Sequence, residues 1–456
     1  MNSVATRLSA MMFLQFFTWG AWFVTLFLCL TQAGLGDYVA TAYQSAPIAA
    51  IVAPLFLGLV ADRLFPSQVV LGVLMLLGAG LMAAAAWAVQ AGDGSLAVAL
   101  LIAHMLCYMP TLGLGNSIAF ANIDDPNHFP AIRVWGTIGW IAAGLLVGAL
   151  GWSDSVNILW LGAAASAAFG LYSFTLPHTP PPARDKPLDL RSLLMLDALG
   201  LMKSAPFAVF ILCSTLICIP LAYYYSYTSG LLADAGFEQP ASTMTIGQMS
   251  EIVFMLLVPF FFRRLGVKWM LLVGMAAWVA RYVLFAYGAS GQAAWMLLMG
   301  VALHGVCYDF FFVTGFMYTD GKASPEVRGQ AQSMLVFFTQ GVGMFLGYWV
   351  AGERFAATMT SQDEYHATLA AASGEAAPTG FFESFGRMLS VSLPEGLDPQ
   401  FVQQAMGQWR EFWLLPAGMA AVVFVIFLAA FYEKPELTRT AADAPSTQPA
   451  DEGAPE

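Results

Sequence analysis

Six ionisable side chains lie inside otherwise apolar stretches of the chain: His104, Arg133, Glu251, Arg281, His304 and Asp309. A charge at the centre of a bilayer costs at least about 2.5–3.5 kcal/mol on insertion scales, so such residues usually serve a substrate or ion path. Arg133, Thr137 and Trp140 recur at i, i+4 and i+7, which stacks them on one helix face. Together they offer a donor fork, a hydroxyl and an aromatic wall. The alternative is that Arg133 sits near a helix end and snorkels to the membrane surface. Gln248 and Glu251, at i and i+3, also share a face and set an amide beside an acid able to take and release a proton. An ion pair between Glu251 and Arg281 is compatible with that role. Asp309 follows Tyr308 and is a candidate proton carrier or a counter-ion to Arg133, while His304 lies one turn earlier. A histidine there could bond a ligand, relay protons near neutral pH, or simply pack.

These residues need a scaffold that lipid can solvate. Of 456 residues, 59% are hydrophobic and 10% charged, where soluble chains carry about 25% charge. A span takes about 20 residues, and apolar runs fall near 8–31, 39–61, 68–90, 96–120, 131–151 and 155–176, then 205–231, 243–262, 268–288, 293–317, 329–351 and 410–432. The expected fold is an all-α polytopic membrane protein with 12 transmembrane helices in two six-helix halves. The expected divisions are an N-terminal bundle at 1–177, a linker at 178–204, a C-terminal bundle at 205–435 with a long external loop at 352–409, and a disordered tail at 436–456. Three prolines, Pro180, Pro181 and Pro182, stop the sixth run before the linker. Its Leu190 to Leu201 stretch has helical spacing and either lies on the membrane surface or is a solvated connection. The first run is long enough to span and lacks a small-residue cleavage site, so it reads as a retained helix.

Lysine and arginine fix the orientation. Arg7, Arg63, Arg184, Arg264, Lys322 and Lys434 fall on one side, and the loops near Gly36, Gly92, Ser153, Glu238 and Ser290 hold none. The positive-inside rule then places both termini in the cytoplasm. A net charge of −11 argues against a nucleic-acid partner. Cys29, Cys107, Cys213, Cys218 and Cys307 lie in apolar runs without metal or dithiol spacing and read as core residues. No nucleotide-binding loop, zinc-protease or serine-hydrolase signature is present, so an enzyme is disfavoured, and neither cofactor nor metal is expected. Internal matches support two parallel halves: Ile51, Asp62 and Leu64 align with Ile252, Arg263 and Leu265 at an offset of 201, and Pro130 and Arg133 with Pro325 and Arg328 at 195.

Several segments carry a resemblance. GLVADRLFPSQ (58–68) is similar to the loop between helices two and three of the major facilitator superfamily, without the Gly-Arg-Arg that usually follows. FLQFFTWGAWFVTL (13–26), YMPTLGLGNSI (108–118), FPAIRVWGTIGW (129–140), GQMSE (247–251) and CYDFFFVTG (307–315) resemble the bacterial nucleoside:proton symporters of that superfamily. The resemblance implies a proton-coupled importer of nucleosides, working by alternating access in the bacterial inner membrane. It implies substrate contacts at Arg133, Thr137, Trp140, Gln248, Glu251 and Tyr308, with Tyr308 stacking on the base; the residues themselves add Tyr225, His304 and Asp309 as candidate contacts, with Glu251 or Asp309 carrying the proton. Asp62 and Arg63 are expected to form a cytoplasmic gate. The implied partners are nucleoside, protons and lipid, and the chain is expected to act as a monomer.

The sequence also departs from that family. Its Gln and Asn contacts on helix seven align with Ala222 and Tyr225, and His304 replaces a frequent Tyr. Another polar aromatic or sugar-like cargo is therefore the alternative. Tyr223, Tyr224, Tyr225 and Tyr227 could supply stacking and hydroxyls instead, or pack at an interface. Gln15, Trp19 and Trp22 share a face that is either a cavity wall or a packing stripe. A non-transporting receptor using the external loop is a third reading.

Overall fold

A computed structural model describes residues 3–56, 64–123, 125, 128–181, 191, 194–324, 326–372 and 380–432. Asp62 and Arg63 lie outside the described residues. Among those residues the chain is almost entirely helical, its one β-contact being an isolated bridge between Phe237 and Val391. In lipid every backbone N–H and C=O must be satisfied within the segment, and apolar helices do this.

In the N-terminal part, helix Ser3–Gly20 packs on Phe129–Ala149 and Asn157–Ser173, while Ser67–Gln90 packs on Gly94–Ala121 and Asn157–Ser173. The first run is not one rod. Turns at 21–25 separate Ser3–Gly20 from Leu26–Gln32, where Gly20 lets Trp140 lie against the backbone: a β-carbon on Gly20 would stand 3.1 Å from Trp140 Cα. In the C-terminal part, helix Ala205–Asp234 packs on Met344–Thr358 and Pro399–Ala430. Pro240–Ser290 continues through two predicted spans without a loop. The chain turns at Gly266, whose φ of 67° and ψ of 179° lie where a side chain is disfavoured.

The tenth and eleventh runs each contain a π-helical stretch, Asp309–Val313 and Phe337–Gly343. Such wide turns are rare and frequently mark functional sites. Helix Met344–Thr358 runs past residue 352 and the last long helix begins at Pro399, so the connection expected at 352–409 is shorter and holds helices of its own, Gln362–Ala372 and Phe381–Arg387.

That connection forms a strap. Asp234, 1% exposed at the end of its helix, accepts hydrogen bonds from His366 Nε2 at 2.7 Å, Trp409 Nε1 at 2.7 Å and the Gln362 amide, and Tyr365 Oη donates to its backbone carbonyl at 2.9 Å. Thr243 Oγ1 donates to Met388 O at 2.7 Å, and helix Phe381–Arg387 packs on Phe129–Ala149. A cavity of about 160 Å³ lined by Asp234, Leu297, Val391, Leu393, Val402 and Met406 lies beneath it.

The two halves meet toward the strap. Ser242 Oγ fills the space a β-carbon on Gly148 would need, and Thr245 Cγ2 lies 2.5 Å from such a carbon on Gly144. Tyr43 stacks on Tyr348 with ring centroids 5.4 Å apart, Phe27 meets Tyr227 at 5.4 Å, and Gln44 Nε2 donates to Phe345 O at 3.3 Å.

Candidate functional site

Helix Phe129–Ala149 brings Arg133 to the interface between the halves. Gly136, one turn on, leaves the guanidinium room to fold against the ring of Phe16, 4.1 Å from its centroid. A β-carbon on Gly136 would stand 2.6 Å from Arg133 Nη1 and 2.7 Å from Phe16 Cδ2. The side chain is half-buried and lies on the face of an aromatic ring. Thr137 is buried on the same face, and Trp140 meets Trp19 edge-on at 5.4 Å. Trp19 continues to Tyr108 at 5.5 Å. Tyr108 Oη donates to Gln15 O at 2.7 Å, and Gln15 Nε2 donates to Thr111 Oγ1 at 3.2 Å. Gln15 and Trp19 thus belong to a polar and aromatic wall behind Trp140, whereas Trp22 is fully buried against Phe23 and His104.

The facing wall is set by a close helix crossing. Gly305 N–H donates to Ser250 Oγ at 2.9 Å, and a β-carbon on Gly305 would stand 2.7 Å from Glu251 N. That contact pins Glu251, on Pro240–Ser290, against the segment His304–Tyr308. Gln248 is buried one turn before Glu251.

Arg133, Glu251 and Tyr308 lie within one another's electrostatic reach, and the Glu251 charge is felt in turn at Asp309. Arg133 and Glu251 nonetheless form no ion pair within 4 Å, nor do Glu251 and Arg281. The proposed structural pairing of Glu251 with Arg281 is therefore not made. Asp309 is fully buried at the start of its π-helical stretch, and neither carboxylate oxygen has a hydrogen-bond partner among the described residues.

Of the four tyrosines on Ala205–Asp234, two face this cluster. Tyr225 meets His304 edge-on at 5.9 Å and Phe23 of the other half at 6.3 Å, and Tyr224 stacks on His304 at 5.0 Å. Tyr223 packs on Phe412 and Tyr227 on Phe355, both away from it. Ala222 is buried beside Gly347 and offers no ligand contact. His304 accepts a hydrogen bond from Arg281 Nη2 at 3.1 Å and lies 5.6 Å from Tyr308. The sequence marked Arg281 as polar and buried but did not pair it with His304. It also left Tyr224 undistinguished among four adjacent tyrosines.

The arrangement supplies cation, acid, amide, hydroxyl and stacked rings on helices that face one another across the boundary between the halves. This is equipment for holding a polar, planar solute and a proton together. The family model for the nucleoside H+ symporter matches residues 1–377. YegT of Escherichia coli (strain K12) is 44% identical over 357 residues, covering 76% of this chain and 83% of that protein. The nucleoside permease NupG of the same organism is 34% identical over 365 residues, covering 76% and 87%. A crystal structure of the nucleoside transporter NupG in a mutant form superposes with a TM-score of 0.78 at 28% identity, covering 94% of this chain and 100% of that one. The fold is the major facilitator fold, and with its many apolar helices the protein is a multi-pass protein of the bacterial inner membrane and not an enzyme. On the residues, the architecture and these relatives together, the chain belongs to the nucleoside H+ symporter family.

Proposed function

We propose that the chain imports nucleosides with protons through the cleft lined by Arg133, Thr137, Trp140, Tyr225, Gln248, Glu251, His304, Tyr308 and Asp309. The observation that carries this reading is the packing of helix Phe129–Ala149, which bears Arg133, on helix Pro240–Ser290, which bears Glu251, across the boundary between the halves. Arg133 and Gln248 hold polar edges of the substrate, Thr137 supplies a hydroxyl, and Tyr225, Tyr308 and Trp140 provide aromatic faces for the base and sugar. Glu251 and Asp309 carry the proton, because both are acids set in apolar helices of the C-terminal half, where a charge is costly unless it serves an ion path.

The working units are the bundles 1–177 and 205–435, joined by the linker 178–204, with a tail at 436–456. Contacts between the halves gather toward the strap, and the positive-inside pattern supports placing the strap outside the cell. The structure then corresponds to the cytoplasm-facing state of an alternating-access cycle in which the halves rock about the site. The cleft is complete within one chain, which supports a monomer.

Labelled uridine or adenosine in proteoliposomes under an inward proton gradient tests the reading. Gradient-driven accumulation is expected, and its absence for every nucleoside would overturn the assignment. The burial of Ala222 against Gly347 favours one second reading, a different polar aromatic or sugar-like cargo. Thermal-shift screening across nucleosides, nucleobases and sugars separates the two.

A further inference from the structure

Residues 104–108 read His-Met-Leu-Cys-Tyr and residues 304–308 read His-Gly-Val-Cys-Tyr. The offset of 200 puts the two pentapeptides on the fourth and tenth spans, one in each half. Both histidines are buried, and each ring lies near its own tyrosine, at 6.2 Å for His104 and 5.6 Å for His304. Each is also held at Nδ1 by the preceding span, but by opposite chemistry.

His104 Nδ1 lies 2.8 Å from the carbonyl oxygen of Gly78. A carbonyl only accepts, so this ring carries its proton on Nδ1 and presents a lone pair at Nε2. His304 Nδ1 lies 3.1 Å from Arg281 Nη2. A guanidinium only donates and stays charged in proteins, so here the lone pair is on Nδ1 and the proton on Nε2. The same short motif is thus wired in reverse by one substitution of partner.

The pairing is held in place on several sides. Tyr224 stacks on the His304 ring with an interplanar angle of 15°, and the Arg281 guanidinium lies 4.1 Å over the same tyrosine ring. Gly247 leaves the room, since a β-carbon there would stand 2.9 Å from Tyr224 Oη and 3.1 Å from His304 Cβ. Arg281 is fully buried, and its Nε and Nη1 find no partner among the described residues. A guanidinium so placed in a membrane protein is costly, and an apolar side chain would pack the space at less expense.

We infer that Arg281 is a positioning residue that fixes His304 as a neutral ring with its proton on Nε2, making His304 a hydrogen-bond donor to an acceptor on the substrate's planar ring and not a proton carrier. The inference rests on the cleft proposed above as the binding site. It assigns His304 the recognition of a carbonyl oxygen or ring nitrogen on a nucleobase held among Tyr225 and Tyr308. The charged and titratable neighbours of His304 are Arg281 on the ninth span, Glu251 on the eighth, held against this segment through Gly305, Tyr224 and Tyr225 on the seventh, and Cys307 and Tyr308 on its own. Proton movement is left to Glu251 and Asp309.

Nitrogen NMR of the full-length protein, labelled with 15N-histidine in lipid nanodiscs, reads the tautomers directly, because the chain has 5 histidines and His304→Gln removes one signal set. The expected spectrum has His304 unprotonated at Nδ1 and His104 unprotonated at Nε2. Arg281→Met should release His304 into a mixture of tautomers, and Arg281→Lys should retain the wild-type form. In titrations with uridine and adenosine, His304→Gln keeps a donor and should stay within about threefold of wild-type affinity. His304→Phe and Arg281→Met should each weaken binding about 3- to 10-fold, with the ratio of gradient-driven to exchange uptake unchanged. A protonated Nδ1 on wild-type His304, or an Arg281→Met protein unchanged in both spectrum and affinity, overturns the inference. If Arg281→Met does not fold, the wild-type spectrum and the Arg281→Lys and His304→Phe affinities decide it. A wild-type protein with the expected spectrum but no nucleoside binding leaves the tautomer lock standing and removes only the cargo reading.

Discussion

Ser242 occupies the volume that a β-carbon on Gly148 would fill, so these two residues, from opposite halves, close the strap side of the molecule by direct contact of a hydroxyl with a bare backbone. A side chain at residue 148 would act as a wedge. Overpacking a tight contact costs about 1–3 kcal/mol, which moves a two-state equilibrium about 5- to 150-fold. Gly148→Val should therefore favour the state open toward the strap. Spin labels on the two helices near Gly151 and Gln239 would report longer distances, and unchanged distances would contradict the gate.

Glu251→Gln mimics a permanently protonated acid. Binding and exchange of internal for external nucleoside should persist, while concentrative uptake under a proton gradient collapses. If Glu251→Gln accumulates substrate normally and Asp309→Asn does not, coupling belongs to Asp309. Normal accumulation by both variants would point to a uniporter.

Gly136→Ala offers a way to move Arg133 without removing its charge, because the new methyl lies 2.6 Å from where Nη1 now sits. Hydrogen bonds to charged groups contribute about 1.5–3 kcal/mol, so Arg133→Gln should weaken nucleoside binding about 10- to 150-fold. Gly136→Ala should produce part of that loss. Calorimetric titration of both variants checks this, and full affinity in Gly136→Ala would show that the guanidinium has no fixed seat.

Asp234 ties the strap to the C-terminal half, accepting from His366, Trp409 and Gln362. Removing the acceptor leaves buried donors unsatisfied, at about 1–3 kcal/mol for each such group. Asp234→Ala should lower the melting temperature clearly. His366→Ala should lower it less, since that side chain is 21% exposed. Equal losses would argue against the acid as the hub.

Asp93 caps helix Gly94–Ala121 in a turn outside the membrane, accepting from Leu96 N–H at 3.0 Å and Ser95 Oγ at 2.9 Å. The Leu96 bond, then the Ser95 bond, hold its carboxyl below the ordinary aspartate value of 3.8. A depressed value in the folded state means the cap contributes fully above the unfolded value and is lost as pH falls through the folded one. Asp93→Asn keeps a capping oxygen and should flatten the low-pH limb of a melting-temperature profile, with little change at pH 7.

Arg133, Glu251 and Asp309 stood out because lipid makes any charge conspicuous against an apolar run, whereas Tyr308 came from the family resemblance. Hydropathy located the helices for the same reason. It could not place the breaks: the turns after Gly20 depend on Trp140, a residue 120 positions away, and the junction at Gly266 has no loop to mark it. Tyr224 and Tyr225 were indistinguishable from Tyr223 and Tyr227 because adjacent positions on a helix differ by about 100°, and only packing decides which pair faces His304. The repeated His-x-x-Cys-Tyr was available as a signal. It lies mid-span, away from the charged helix ends where the other internal matches fall.

Gly266 joins two spans with no spare residue between them, and this sets which genetic changes the molecule can absorb. Substitutions within either span alter one contact at a time. One residue inserted into the helix between the junction and Arg281 would carry Arg281 round by about 100° relative to the turns before it, away from His304, while leaving every side chain present. Drift in chain length, rather than in composition, is what this joint cannot survive, so fluorescent tags, affinity peptides and split sites belong elsewhere.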